Sequence, residues 1–508
     1  MTLNPLYLLV SVSSDKKIVV RYYSGLFNSN TNILAVWAVC YDLIGWLILY
    51  NFGINTKFKL IKDYYMAMDN QKNSNMTKNA LKMTTGLLLS FAAAFFIYYG
   101  MNTMNDPVFS IDFLPYHLAG QLLARGNLQL LTNYADSGGF FATSGPFLET
   151  FHKYFYPDST YATRWVYTPA YLWLFRPLAG FDFPTASRIW LAFNAVLTLL
   201  AVWLLWVVRR YPDLSPELKH LRFAWFTFLA LTFQPMLSNL WHGQVTGLIV
   251  VLFLLSYWLL KREKNFWSGF VLGLIVPFKF YPALFVFYFI WRREWRVVIG
   301  SLTAMLLIAV ISFGTVGWQA NWEYIQVVLS EISGGGVAAF NNQSISGFLM
   351  HVFTQGDVYN WLDITEPAWI STFRIVIVLV MIAAAGWVMQ RRSSQRERSD
   401  SYLEIDLSLV ILIMLLVSPI TWYHYYMWLL FPLTVLFDHF LRSGEFEGQQ
   451  VIWYALAYAL VVTEGVIVLR PIAEQALQNV WLLRLLLSQS FFGSVIVFGL
   501  LLRVNGDA

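Results

Sequence analysis

The sequence is short of charge. Asp, Glu, Lys and Arg make up 12% of its 508 residues, against 58% hydrophobic and 18% aromatic. So little polar surface cannot cover a soluble body of this size, and the composition specifies a polytopic membrane protein, read here as all-α. Cysteine is nearly missing too: Cys40 stands alone. That excludes an internal disulfide and a cysteine-ligated metal cluster, and it leaves cysteine usage silent on compartment. No Asp-x-Asp occurs, and the nearest approximation, Glu404-Ile405-Asp406, belongs to the cytoplasmic side. A metal-held nucleotide sugar is therefore not expected as a donor. Phosphate-binding glycine loops, Cys-x-x-Cys and His-Glu-x-x-His are also missing, which argues against ATP-driven transport and zinc chemistry. No metal and no cofactor is expected. There is no internal repeat and no low-complexity tract. Residues 1–10 are apolar but too short, with no basic residue ahead of them, for a cleavable signal.

The basic residues present are clustered, and the clusters give a topology. A net charge of +5 in such a chain marks cytoplasmic loops rather than nucleic-acid binding. Residues 31–53 are a candidate first span despite Asp42. The run Lys57, Lys59, Lys62, Lys72, Lys78 and Lys82 should stay inside, so 83–101 runs outward. It releases 102–185, too polar to cross and too long for a simple connection, read as a small outer subdomain. Passes at 186–208, 223–240 and 245–260 follow, and each basic cluster falls on one side.

The stretch 265–291 lies between Lys261-Arg262-Glu263-Lys264 and Arg292-Arg293-Glu294-Trp295-Arg296. Two crossings need about 40 residues, which it lacks. One crossing would place 317–368, devoid of Lys and Arg, inside. A short hairpin, broken near Pro277-Phe278-Lys279-Phe280-Tyr281-Pro282, restores the parity and carries Lys279 to membrane depth, where broken helices line protein or a wet cavity. With 297–316, 369–389, 403–420, 425–441, 451–469 and 479–502, the count is about eleven full crossings plus the hairpin. Residues 1–82 then form an N-terminal extension, 83–440 a membrane core, and 441–508 a C-terminal helical pair. Lys16, Lys17 and Arg21 leave the side of the N-terminus open.

A glycosyl transfer from a lipid phosphate to a hydroxyl needs one carboxylate to take the proton and cations or donors to stabilise the departing phosphate. Phosphate is already a weak base, so the paired carboxylates of a glycosidase are not required. Asp112 is the candidate base: it follows the exit of a span and precedes Tyr116, Ala119, Leu122 and Leu123 at helical spacing. Arg125, Arg164, Arg188 and Lys279 are candidate cations. His117, His242 and His424 are candidate ligands of sugar or phosphate. Each has a plainer alternative. Asp112 could be a helix N-cap, Lys279 could snorkel, and His242 and His424 adjoin Trp241 and Trp422, where an aromatic belt is expected. The wider aromatic content reads as belt and packing.

Together these pieces resemble the GT-C class of membrane glycosyltransferases, and within it glycosyltransferase family 87, the polyprenyl-phosphate-mannose-dependent mannosyltransferase-like proteins. The resemblance runs from about residue 83 to 440. Its elements are Asp112-Phe113 with Tyr116, Ala119, Leu122-Leu123 and Gly126; Tyr167-Thr168-Pro169, where Thr168 replaces a proline of the family's Tyr-Pro-Pro, with Pro177-Leu178; Trp190 and Asn194; Gly243-Gln244; Lys279 with Pro282; Asn342-Gln343-Ser344; and Ser418-Pro419 with Trp422 and His424. The resemblance implies a GT-C-like bundle and a polyprenyl-phosphate-sugar donor, with a lipid-linked or glycan acceptor and an active site on the outer face of a cytoplasmic membrane. It implies Asp112 as base, with Lys279, Gln244 and His424 at the donor, where His242, Arg164 and Tyr167 are further candidates. A transporter or lipid flippase is the competing class, since a broken hairpin with Lys279 and Glu464 suits a carrier. A glycan polymerase using a lipid diphosphate is another. The long outer segment argues against the first, and the scarcity of outer basic residues against the second.

Overall fold

The computed structural model describes residues 9–12, 18–21, 75–106, 108–128, 137–138, 141–208, 216–328, 336–354, 358, 361, 366–394, 400–443, 448–463 and 480–504. The chain divides into two units, Met1–Asp63 and Tyr64–Ala508. In the first, the described residues are two antiparallel strands, β1 (Leu9–Val12) and β2 (Ile18–Arg21), with Leu9 opposite Arg21. The candidate span at 31–53, Lys57 to Lys72 and Glu464 lie outside the described residues.

The second unit is overwhelmingly helical, as long apolar runs must be where no water is at hand to satisfy the backbone. Its first helix, α1 (Asn75–Asn105), is followed by the segment expected to lie outside, which holds α2 (Leu114–Ala124), α3 (Gly145–Tyr154) and α4 (Leu172–Phe175). Among the described residues, four stretches are long and apolar enough to cross a bilayer: Leu81–Asn105, Phe183–Val208 (α5), Trp295–Thr315 and Ala368–Arg392. Leu87, Val196, Leu306 and Val380 on these are 62–66% exposed. Large aliphatic side chains laid bare along whole helices are the surface lipid covers, so this is an integral membrane protein.

Elsewhere the expected passes are interrupted. The 223–240 pass is two helices, α6 (Pro216–Leu231) and α7 (Gln234–His242). Pro235 has no N–H to give and its ring collides with the carbonyl one turn back, so the helix restarts there. The 425–441 pass opens as a 3-10 turn over Tyr423–Leu429, and the 479–502 pass breaks at Ser488. The outer segment also corrects a purely helical reading, because Ser137–Gly138 (β3), Phe141–Ala142 (β4) and Ala162–Thr163 (β5) pair in that order as a three-stranded antiparallel sheet. Strands of two residues leave no period for a sequence to display.

The hairpin is drawn in detail. After α8 (Thr246–Leu260), α9 (Asn265–Ile275) and α10 (Ala283–Trp291) are each too short to span, at about 1.5 Å per residue. A Cβ added to Gly269 would fall 1.9 Å from the Val297 carbonyl oxygen of α11 (Trp295–Thr315), and one on Gly273 2.2 Å from that of Ser301. Small residues four apart let the backbones touch, and Ser301 Oγ donates to Gly269 O at 3.0 Å. Both numbers rise together, so α9 and α11 run parallel from the same level. The chain therefore enters and leaves the hairpin on one side.

Candidate active site

Asp112 stands in a 3-10 turn, Ile111–Phe113, just ahead of α2. The turn is pinned from two directions. Asp106, at the end of α1, accepts from Trp241 Nε1 at 3.0 Å, and Ser110, in the left-handed region at φ 62°, donates its N–H to Trp241 O at 2.7 Å. The C-terminus of α7 thus sits directly against the turn. Gly243 closes α7 at φ +70°, a conformation glycine adopts without cost, and a Cβ there would meet Phe113 Cβ at 2.9 Å and Ser110 Oγ at 3.0 Å. Its carbonyl accepts from Trp190 Nε1 at 2.7 Å. With Gly243 so placed, the next side chain, Gln244, reaches the carboxylate.

Gln244 Nε2 donates to Asp112 Oδ2 at 3.0 Å, and Gln244 Oε1 accepts from the Tyr116 hydroxyl at 3.0 Å. Because Tyr116 spends its proton there, Tyr167, whose hydroxyl lies 2.6 Å away, must donate to Tyr116. All donors in the row Tyr167, Tyr116, Gln244 point toward Asp112, and each polarises the next. Burial pushes both phenols well above their ordinary range, so they remain protonated donors. The N-cap alternative falls away: the residue capping α2 is Phe113, and no side chain caps that helix. Asp112 is half-buried, and its Oδ1 makes no hydrogen bond among the described residues.

Lys279 comes from the hairpin break, 7% exposed. Its ammonium lies 3.5 Å from the Tyr425 ring centroid and 5.9 Å from that of Tyr167, and it makes no hydrogen bond among the described residues. Asp112 is near enough to act on it electrostatically, and so is His424. His424 is buried rather than lodged in a belt, its Nε2 has no hydrogen bond, and its ring is 5.3 Å from that of His242. His242 Nδ1 donates to Ser238 O at 2.8 Å, which leaves Nε2 as the free acceptor.

The turn carrying His424 and Tyr425 is held by Asn342-Gln343-Ser344. Asn342 Nδ2 donates to Val337 O and Pro419 O, while its Oδ1 accepts from Thr421 N at 2.9 Å. Tyr426 donates to Gln343 O at 2.6 Å. This element is scaffolding for the site.

The sequence candidates thus divide. Asp112, Gln244, Tyr167, Lys279, His424 and His242 come together. Gln244, for which the resemblance implied a donor contact, is engaged with Asp112 and Tyr116. Arg164 is buried next to Trp165, whose ring meets Tyr116 and Tyr167 edge-on at 6.0 and 5.5 Å. Arg125 and Arg188 are exposed, the latter acting on Asp182. His117 is buried with Nε2 3.1 Å from Phe181 O, and burial lowers its pKa, so it is a neutral packing residue. Tyr116 was noted only as part of the helical motif after Asp112 and given no role, and Tyr425 was not noted. The first was legible one helical turn beyond Asp112; nothing marked the second among 28 tyrosines.

The profile of glycosyltransferase family 87 matches residues 165–419, half of the chain. The chain belongs to that family. Gln244, Lys279 and Asn342 lie inside the matched stretch, whereas Asp112 and His424 flank it. A relative from Mycobacterium tuberculosis, the polyprenol-phosphate-mannose-dependent alpha-(1-2)-phosphatidylinositol mannoside mannosyltransferase, is 28% identical over 276 residues, 52% of this chain. The chain spans 60% of that protein's length. The protein of the same name from Mycolicibacterium smegmatis is 25% identical over 430 residues, 81% of this chain and 88% of its own. A pentamannoside mannosyltransferase of the latter organism is 26% identical over 346 residues, 68% of this chain and 78% of its own. Family 87 membership and apolar helices agree on an integral membrane protein.

Proposed function

We propose that this chain transfers a hexose, mannose by its relatives' names, from a polyprenyl-phosphate donor to a lipid-linked or glycan acceptor at the outer face of the cytoplasmic membrane. The observation that carries the reading is a carboxylate at the accepting end of a directed row of donors, within electrostatic reach of a buried ammonium that makes no hydrogen bond among the described residues. Asp112 Oδ1 takes the proton as the acceptor oxygen bonds to the anomeric carbon, and the bond from that carbon to the phosphate oxygen breaks with its electrons on phosphate. Gln244 and Tyr116 keep the carboxylate aimed. Lys279 exchanges its place over the Tyr425 ring for the donor phosphate, which is anionic before the bond breaks, an interaction strengthened by burial. A departing phosphate needs no proton, so the chemistry asks for no second carboxylate. Attack opposite the leaving group inverts the anomeric carbon. A GT-C-like bundle of about eleven passes, with the hairpin opening inward and 102–185 outside, puts these groups at one membrane boundary.

The test is Asp112→Asn. Purified and folded, it should bind donor yet release no product from radiolabelled polyprenyl-phosphate mannose. Turnover near wild type removes Asp112 from the reaction, and label crossing vesicles without forming a glycolipid supports a carrier instead.

A further inference from the structure

The hairpin break is buried through Val276–Lys279, and the carbonyls there must be satisfied from somewhere. Phe278 N and Lys279 N both return to Ile275 O, at 3.0 and 3.4 Å, which leaves Leu274 O and Pro277 O without a helical partner. Both are met from the outer segment: the Tyr171 hydroxyl donates to Leu274 O and Thr168 Oγ1 to Pro277 O. The Tyr171 ring lies on that of Phe278, centroids 3.5 Å apart, and Tyr167 meets Phe278 edge-on at 6.2 Å.

Thr168 is the position at which the chain departs from the Tyr-Pro-Pro pattern. Its backbone, φ −53° and ψ 131°, lies within the range proline imposes. The departure therefore leaves the path of the loop unchanged. What threonine adds is a hydroxyl, and that hydroxyl is spent two residues before Lys279.

We propose that Thr168 and Tyr171 are positioning residues that clamp the hairpin break so that the Lys279 ammonium faces Asp112. The assignment rests on the transferase reading for its consequence and on the two hydrogen bonds for its existence. With the clamp loosened, Lys279 reaches the donor phosphate at the cost of ordering the break first. The base, held separately by Gln244 and Tyr116, is untouched.

The experiment uses the purified full chain with polyprenyl-phosphate mannose varied. Thr168→Val should raise the donor KM about five- to tenfold, the weight of one lost hydrogen bond, with kcat changed less than about twofold. Thr168→Ser should restore it. In a Lys279→Ala background, Thr168→Val should add nothing. Hydrogen exchange in peptides covering 276–282 should quicken in Thr168→Val and Tyr171→Phe and not in Thr168→Ser. An unchanged donor KM, or equal losses in the valine and serine variants, overturns the positioning role. Unchanged exchange overturns the clamp. If the wild type transfers no sugar, the reaction assignment fails by itself, and the exchange measurement still decides the clamp.

Discussion

Gly243→Ala is a small change whose effect can be worked out from the structure. A methyl group at this residue meets two separate obstacles. The backbone is at φ +70°, where a Cβ costs about 1–2 kcal/mol. The new carbon would also stand 2.9 Å from Phe113 Cβ and 3.2 Å from Ser110 Cα. Neither neighbour is the loose end of a side chain, so the Ser110–Phe113 turn must move as a body, adding about 1–3 kcal/mol of overpacking. Asp112 is inside that turn, and a displacement of about 1 Å at a reacting group lowers a rate about a hundredfold. Gly126→Ala is the control, since Gly126 has φ +72° with nothing within 4 Å of its Cβ. Both variants should lose thermal stability in detergent, but only Gly243→Ala should lose kcat by two orders of magnitude, about 100-fold. If both retain similar kcat, the claim that α7 sets the position of Asp112 is wrong.

Lys279→Ala should raise the donor KM far more than it lowers kcat at saturation, and a rate whose dependence on donor is unchanged would remove the phosphate role. Asn342→Leu should leave Val337 O and Thr421 N unsatisfied in a buried turn, lowering stability by roughly 3 kcal/mol or more, read as a fall in the unfolding midpoint. His351 in α13 (Ile345–Phe353) is buried between Ala339 O and Ser488 Oγ, and burial lowers its pKa to about 4 from 6.5. Below pH 6.5 the unfolded chain takes the proton and the folded one does not. His351 therefore contributes its full stability above pH 6.5, up to about 3 kcal/mol, and loses it as pH falls toward about 4. His351→Asn should flatten the fall in melting temperature across that window.

Much of the site was legible because its chemistry is rare in a chain of this composition. An ionisable group within an apolar stretch stands out, as Lys279 does, and so does a carboxylate soon after such a stretch ends, as Asp112 does. The parity of basic clusters implied the hairpin, and the close parallel contact of Gly269 and Gly273 with α11 agrees with it. Gln244 was found by resemblance, but its partner could not be read: 132 residues separate it from Asp112, and their meeting depends on Gly243, Trp241 and Ser110. His117, Arg125 and Arg188 carry the same chemistry as the residues that matter, and only their packing sets them apart.

Composition alone made this an apolar, helical membrane chain, because lipid leaves a backbone few ways to satisfy itself, and the order of its basic clusters gave the expected topology. Folding decided the rest. Which carboxylate meets which cation, and whether threonine at 168 alters a loop or fastens one, are matters of contacts between distant residues, and the free energy of such contacts is not written in any local stretch.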